Sequence, residues 1–272
     1  MELSAKYEKL QEILGAMGKV LVAYSGGVDS TFLLKVAWDV LGNNALGVMG
    51  ISETVPHDQI VEARELAVNM GVPFLTVTTE ELHKEEFASN PVNRCFYCKS
   101  ELFNKLWQVA NERNIMYVLD GCNADDTKDY RPGMAAGSAL NVRSPLQEAG
   151  MTKDDIRVLS RQLGLTTWDK PASPCLSSRF PYGIRITGNS LDKVEKAEKY
   201  LKSLGFNQVR ARYHENILRI EVELDSIPRI LEFREQIVSY LNSIGFRYVT
   251  LDLAGYRMGS LNEMLVAKSN TR

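Results

Sequence analysis

The sequence predicts an α/β fold: a doubly wound parallel sheet followed by a smaller two-layer α/β domain. Short apolar runs alternate with amphipathic stretches at helical spacing, and a Gly-Gly turn stands directly after the first run. Beyond Gly183 the rhythm changes to paired strand patterns between longer helical ones. Residues 4–16 carry apolar positions at helical spacing and lead into Val20-Leu21-Val22-Ala23-Tyr24, a run of the kind buried in parallel sheets. Helix 31–41, strand 45–51, helix 57–70 closed by Gly71, strand 73–77, helix 99–113 and strand 116–120 follow. Residues 121–150 are rich in Gly, Asp, Asn and Pro and read as a loop, ahead of helix 152–163 and a second loop, 170–183, with three prolines. The last region reads as helix 190–204, strands 207–213 and 217–223, helix 227–243 and strand 247–252. This ordering predicts domains at 1–183 and 184–272. Within the second, Tyr200-Leu-Lys-Ser-Leu-Gly205-Phe206 is echoed by Tyr240-Leu-Asn-Ser-Ile-Gly245-Phe246, each glycine standing where a helix should close.

The 272 residues include 32 basic and 34 acidic side chains, a formal charge of −2. That balance lacks the clustered positive charge of a general nucleic-acid or membrane-surface binder. No run approaches the roughly 18 apolar residues of a membrane helix, and the N-terminal segment has no secretory apolar core. The expectation is a soluble, cytoplasmic protein with no nucleic-acid and no membrane partner. Cysteines 95, 98, 122 and 175 are too few and too unevenly spaced for a secreted disulfide framework, and in a reducing compartment they suggest metal, cluster or sulfur chemistry.

The most informative segment is Ser25-Gly26-Gly27-Val28-Asp29-Ser30, between the first strand and the next helix. Two glycines let backbone amides close on an anion, and a helix N-terminus adds unpaired N–H groups. Ser25 and Ser30 can donate to phosphate oxygens. Asp29 repels phosphate unless a cation intervenes, which suggests Mg²⁺. The bland reading is a glycine-rich strand-to-helix turn. The segment is neither a Walker A loop nor a dinucleotide fingerprint. It resembles the PP-loop of the ATP pyrophosphatases, which adenylate a substrate and release pyrophosphate.

A second element of that superfamily is similar to Asp120-Gly121-Cys122-Asn123-Ala124-Asp125-Asp126, which follows a strand where ligands bind at a parallel sheet edge. Gly121 would then meet the nucleotide, and Asp125 or Asp126 would help hold Mg²⁺ unless they are merely solvated acids. By the same resemblance Gly50 to Glu53 forms the adenine-side wall. Cys95-Phe-Tyr-Cys98 precedes the helix expected at Lys99, near an N-terminus that lowers thiol pKa. A closed zinc site needs two more matched ligands, and no second pair exists. Cys175 sits in Lys170-Pro-Ala-Ser-Pro-Cys-Leu-Ser-Ser-Arg179-Phe-Pro-Tyr-Gly183, whose Ser178 and Arg179 suit an anion. Three thiolates from two loops could hold three irons of a [4Fe–4S] cluster; ordinary thiols are the alternative. Cys122 reads better as an inert small residue than as a fourth ligand. Arg210 and Arg212 alternate along a strand, so both face one side, either towards a phosphate or paired with Glu221 and Glu223 on an exposed face.

Taken together, SGGVDS, Asp129 to Gly133, Ser177 to Gly183, Val209 to His214 and Tyr248 to Asp252 resemble the LarE family. These are ATP-dependent sulfur transferases of nickel-pincer nucleotide cofactor synthesis. The resemblance implies a small nucleotide substrate, pyridinium-3,5-biscarboxylic acid mononucleotide, with Arg210 and Arg212 on its phosphate and Glu198 as an active-site acid. It also implies a homo-oligomer, up to a homohexamer. Well-known members carry one sacrificial cysteine a place before the equivalent of Cys175, where this chain has Pro174, and lack cysteines at 95 and 98. The chain is similar instead to a three-cysteine branch, in which a [4Fe–4S] cluster on Cys95, Cys98 and Cys175 carries the transferable sulfide. Sacrificial loss of sulfur from Cys175 stays open. Two other readings share the motifs: a tRNA thiolation enzyme of the same superfamily, and a nucleotide or iron–sulfur binding module that cleaves nothing.

Overall fold

A computed structural model describes residues 2–128, 132–171, 173–257 and 259. The chain divides into two compact units, the first of residues 1–87 and 93–173, the second of residues 88–92 and 174–272.

In the first unit, α1 (Leu3–Met17), β1 (Val20–Ala23), α2 (Val28–Leu41), β2 (Ala45–Ile51), α3 (His57–Asn69) and β3 (Phe74–Thr78) alternate as expected. A single turn, α4 (Glu85–Ala88), precedes α5 (Arg94–Glu112) and β4 (Tyr117–Leu119). The four strands form one parallel sheet in the order β3-β2-β1-β4. The chain builds outward from β1 to β3 and then returns to the other side of β1. The order therefore reverses between β1 and β4, which is where the carboxyl ends of an open parallel sheet leave a crevice. Leu21 and Val118 are fully buried against Phe103 and Leu106 of α5, while Val20 and Val22 join the core formed with α1 and α2. Burial on both faces is why these strands read as continuous apolar runs.

Two differences from the sequence reading of this unit have local causes. Helix α5 starts at Arg94, not Lys99, because nothing between the two breaks a helix; Asn93 stands at the N-cap position without a side-chain capping bond. Cys95 therefore lies in its first turn and Cys98 at the start of its second. The stretch read as one loop from 121 to 150 contains α6 (Pro132–Ala139) and the single turn α7 (Pro145–Glu148). Its Gly133 and Gly137 lie against Lys99 and Phe103, so the glycines that suggested a loop serve close helix packing. Of the motif Asp129 to Gly133, residues 129–131 lie outside the described residues. Helix α8 (Lys153–Gln162) closes the unit, opened by a capping box between Thr152 and Asp155.

The second unit contains α9 (Gly188–Ser203), β5 (Val209–His214), β6 (Ile217–Val222), α10 (Ile227–Glu232), α11 (Arg234–Ser243) and β7 (Tyr248–Leu251). The helix expected over 227–243 is divided at Phe233, whose ring packs edge-on to Phe206 at 6.0 Å. Its sheet has the order β5-β6-β7, antiparallel then parallel. The internal echo has a structural counterpart. Gly205 and Gly245 both take positive φ, 89° and 96°, and the Tyr200 and Tyr240 rings stack at 4.0 Å. Among the described residues no helix is long and apolar enough to cross a membrane.

Candidate active site

In the first unit the loop from Ser25 to Ser30 sits at the carboxyl end of β1, beside the reversal of strand order. Gly26 has φ 69°, and a Cβ there would stand 2.7 Å from Ala63 Cβ of α3, so both conformation and space demand glycine. Gly27 caps α2 and accepts from Thr31 N at 2.9 Å. The Ser25 and Ser30 hydroxyls lie 3.0 Å apart, and Ser30 Oγ also donates to Gly27 O at 3.3 Å. The hydroxyls stiffen the loop, while its amides and the first turn of α2 form a cradle of N–H donors of the kind that suits an anion.

The loop after β4 closes over this cradle. A Cβ on Gly121 would meet Ser30 N at 3.1 Å, so a side chain there would press on the backbone of Asp29 and Ser30. Asn123 Nδ2 donates to Asp29 Oδ1 at 3.4 Å. Asp125 accepts from the Lys153 amide at 2.9 Å, and the Lys153 ammonium pairs with Asp29 at 2.6 Å. The two acids expected to hold Mg²⁺ thus converge on one residue. Their oxygen donors fit a hard cation, and Lys153 supplies positive charge at that carboxylate. Lys170 donates to Gly26 O at 3.1 Å and pairs with Glu62 at 2.8 Å. At the end of β2, Ser52 and Thr54 donate to Glu81 at 2.6 and 2.9 Å.

Cys95 is exposed and Cys98 partly so; at i and i+3 of one helix they share a face. Two thiols so placed fit two positions of a soft, thiolate-bound centre. The third expected ligand, Cys175, belongs to the other unit, and among the described residues no three His, Cys, Asp or Glu side chains gather as for a metal ion. Cys122 is different. Burial, with the Asp120 carboxylate beside it, pushes its thiol up to about 12, and Sγ donates to Asp120 at 3.2 Å.

In the second unit, charge is concentrated where apolar packing would be cheapest. Arg179 and Glu198 are 2% and 4% exposed and form a bidentate pair, both bonds at 2.8 Å. Burial raises Glu198, yet the guanidinium outweighs it and holds the carboxyl below its ordinary value. Glu198 also accepts from Ala211 N at 3.1 Å. Arg179 further donates to the carbonyls of Pro174 and Cys175 and to Ser178 Oγ, at 2.8, 3.1 and 2.9 Å, so it fixes the cysteine loop. Arg212 pairs with Glu221 through bonds of 2.9 and 2.7 Å and donates to Ser178 O. The face carrying Arg210 and Arg212 is buried, and the pairing with Glu221 belongs to Arg212.

Arg210 makes no ion pair among the described residues. Its guanidinium donates to Val209 O at 2.8 Å and lies 5.1 Å from the Tyr256 ring centroid. Burial, then Arg179, lowers it from the ordinary arginine value. A buried cation beside two further arginines, with the nearby carboxylates already paired, leaves a surplus of positive charge.

No family model matches the chain. An uncharacterized protein of Synechocystis sp. is 44% identical over 265 residues, 97% of this chain and 99% of its own length. The pyridinium-3,5-bisthiocarboxylic acid mononucleotide synthase of Lactiplantibacillus plantarum is 42% identical over 264 residues, 97% of this chain and 96% of that one. The chain belongs to the LarE family. This is a family of ATP-dependent sulfurtransferases within the PP-loop superfamily. More distantly, the chain is similar to the tRNA-specific 2-thiouridylase MnmA of Desulforamulus reducens, 27% identical over 198 residues, 57% of this chain and 53% of that protein.

For this LarE family member the sequence reading missed Lys153, Lys170, Asn123 and Tyr256. Lys153 carries a signal of its own: a lysine in the first turn of a helix opposes the helix dipole and needs a reason to be there. Lys170 and Tyr256 carry none, since their partners are distant in sequence.

Proposed function

We propose that the chain adenylates a carboxylate of pyridinium-3,5-biscarboxylic acid mononucleotide and converts it to a thiocarboxylate in nickel-pincer cofactor synthesis. The observation that carries this reading is the phosphate loop closed by the loop after β4, with Asp29 and Asp125 converging on Lys153. The first unit handles ATP and the second, which includes Ser178 and Arg179, the substrate. Ser25, Gly26, Gly27, Ser30 and Gly121 cradle the ATP phosphates. Asp29 and Asp125 hold Mg²⁺, which when bound neutralises charge on the phosphate oxygens. The surplus charge at Arg210, supported by Arg212, Arg179 and Ser178, takes the substrate phosphate, and Glu198 holds that arginine set in place.

In the first step a substrate carboxylate oxygen attacks the α-phosphorus, the bond to the β-phosphate oxygen breaks, and pyrophosphate leaves. The loop amides stabilise charge developing on the leaving oxygens. In the second step a sulfur nucleophile adds to the acyl carbon, the bond to the AMP oxygen breaks, and a thiocarboxylate remains. Cys95, Cys98 and Cys175 would hold a [4Fe–4S] cluster, which when bound supplies transferable sulfide. Cys175, whose backbone carbonyl accepts from Arg179 at 3.1 Å, is also the sacrificial alternative. The working form is a homo-oligomer in the cytoplasm.

Pyrophosphate release, assayed separately with the pyridinium mononucleotide and with tRNA, tests this. The expected result is stimulation by the mononucleotide alone. Stimulation by tRNA would replace the reading with tRNA thiolation, and release with neither would leave a binding module.

A further inference from the structure

We infer that Lys170 is a positioning residue that aims the Gly27 amide into the phosphate cradle; the inference rests on residues 25–30 being the phosphate loop. The Gly26–Gly27 peptide is trans and planar, so its C=O and N–H point in opposite directions. The Gly26 carbonyl is held by Lys170 Nζ at 3.1 Å. The Gly27 N–H therefore points away from the lysine, and among the described residues it donates to nothing.

This peptide needs an external hold. Glycine flanks it on both sides, so a peptide flip meets no Cβ and costs little sterically. Ala63 of α3 blocks one side of Gly26, and Glu62, the preceding residue of the same helix, holds the Lys170 ammonium at 2.8 Å. Helix α3 thus fixes both the glycine and the lysine that orients it. With its charge offset by Glu62, Lys170 acts through the loop carbonyl. The same segment is tied to α3 a second time, by Gln59 donating to Ser173 Oγ.

The test is titration of the full chain with AMP and with adenosine, which share every contact except those to phosphate. Lys170→Met should weaken AMP about tenfold, the loss of one hydrogen bond to a charged group, and leave adenosine unchanged. Lys170→Arg, which restores a cationic donor, should recover most of the AMP affinity. Equal losses for AMP and adenosine, or no loss for either, would overturn the inference. If Lys170→Met fails to fold, Lys170→Gln carries the same comparison. Wild type that binds adenosine as tightly as AMP would instead bring down the phosphate-loop reading itself.

Discussion

Replacing Gly26 by alanine should lower pyrophosphate release by about 10²-fold or more, the scale of losing preorganised donors at a developing anion. Two costs meet at this residue. Its φ of 69° is left-handed, which costs an L-residue roughly 1–2 kcal/mol, and the new Cβ would stand 2.7 Å from Ala63 Cβ. Relieving such overpacking moves backbone and costs about 1–3 kcal/mol more. The backbone that moves is the loop whose amides are proposed to face the phosphates, so activity should fall further than stability. The double variant Gly26→Ala/Ala63→Gly removes the 2.7 Å contact but keeps the φ strain and a 3.1 Å approach to the Cα of residue 63. It should recover part of the rate, and the remainder measures the φ strain together with that residual contact. A Gly26→Ala protein with wild-type release would show that the loop geometry is not what stabilises the leaving group.

The second large effect is on the fold of the C-terminal unit. Arg179→Met should destabilise the protein by about 3–5 kcal/mol in urea unfolding, because it leaves the buried Glu198 carboxylate without its cation. Glu198→Gln should cost less, since Arg179 keeps Pro174 O, Cys175 O and Ser178 Oγ as acceptors. The double variant Arg179→Met/Glu198→Gln should be more stable than Arg179→Met alone, as expected when the penalty is an unpaired charge. The pH dependence has a definite sign. The Glu198 carboxyl is held below its ordinary value of 4.5, so its contribution is present above that pH and is lost as pH falls through the folded-state value. Glu198→Gln should therefore flatten the acid limb of the stability profile below about pH 4.5. An unchanged acid limb would mean the pair contributes nothing to acid stability.

Much of the first unit was legible because its signals are local. Apolar runs give β1 and β2, and Gly71 and Gly164 close helices at positive φ of 69° and 70°. SGGVDS identifies itself by composition and position between a strand and a helix. What escaped depends on tertiary partners. Helix α6 hides because the glycines that let it approach α5 also spell a loop. The arginines at 210 and 212 look equivalent by strand alternation, but Glu221, which stands directly across the strand pair from Arg210, is engaged by Arg212. Their burial could not be read from a strand in which two of six residues are arginine. Lys170 reaches across 144 positions to Gly26 O, a distance in sequence that no motif spans.

The proposed chemistry makes one claim that isotopes can read directly: a substrate carboxylate oxygen becomes bonded to the α-phosphorus of ATP. A mononucleotide labelled with ¹⁸O in its carboxylates, turned over with ATP and a sulfide source, should yield AMP carrying one ¹⁸O per thiocarboxylate formed, read by mass spectrometry. AMP free of label, with thiocarboxylate still produced, would contradict adenylation of the carboxylate and with it the account of the phosphate loop.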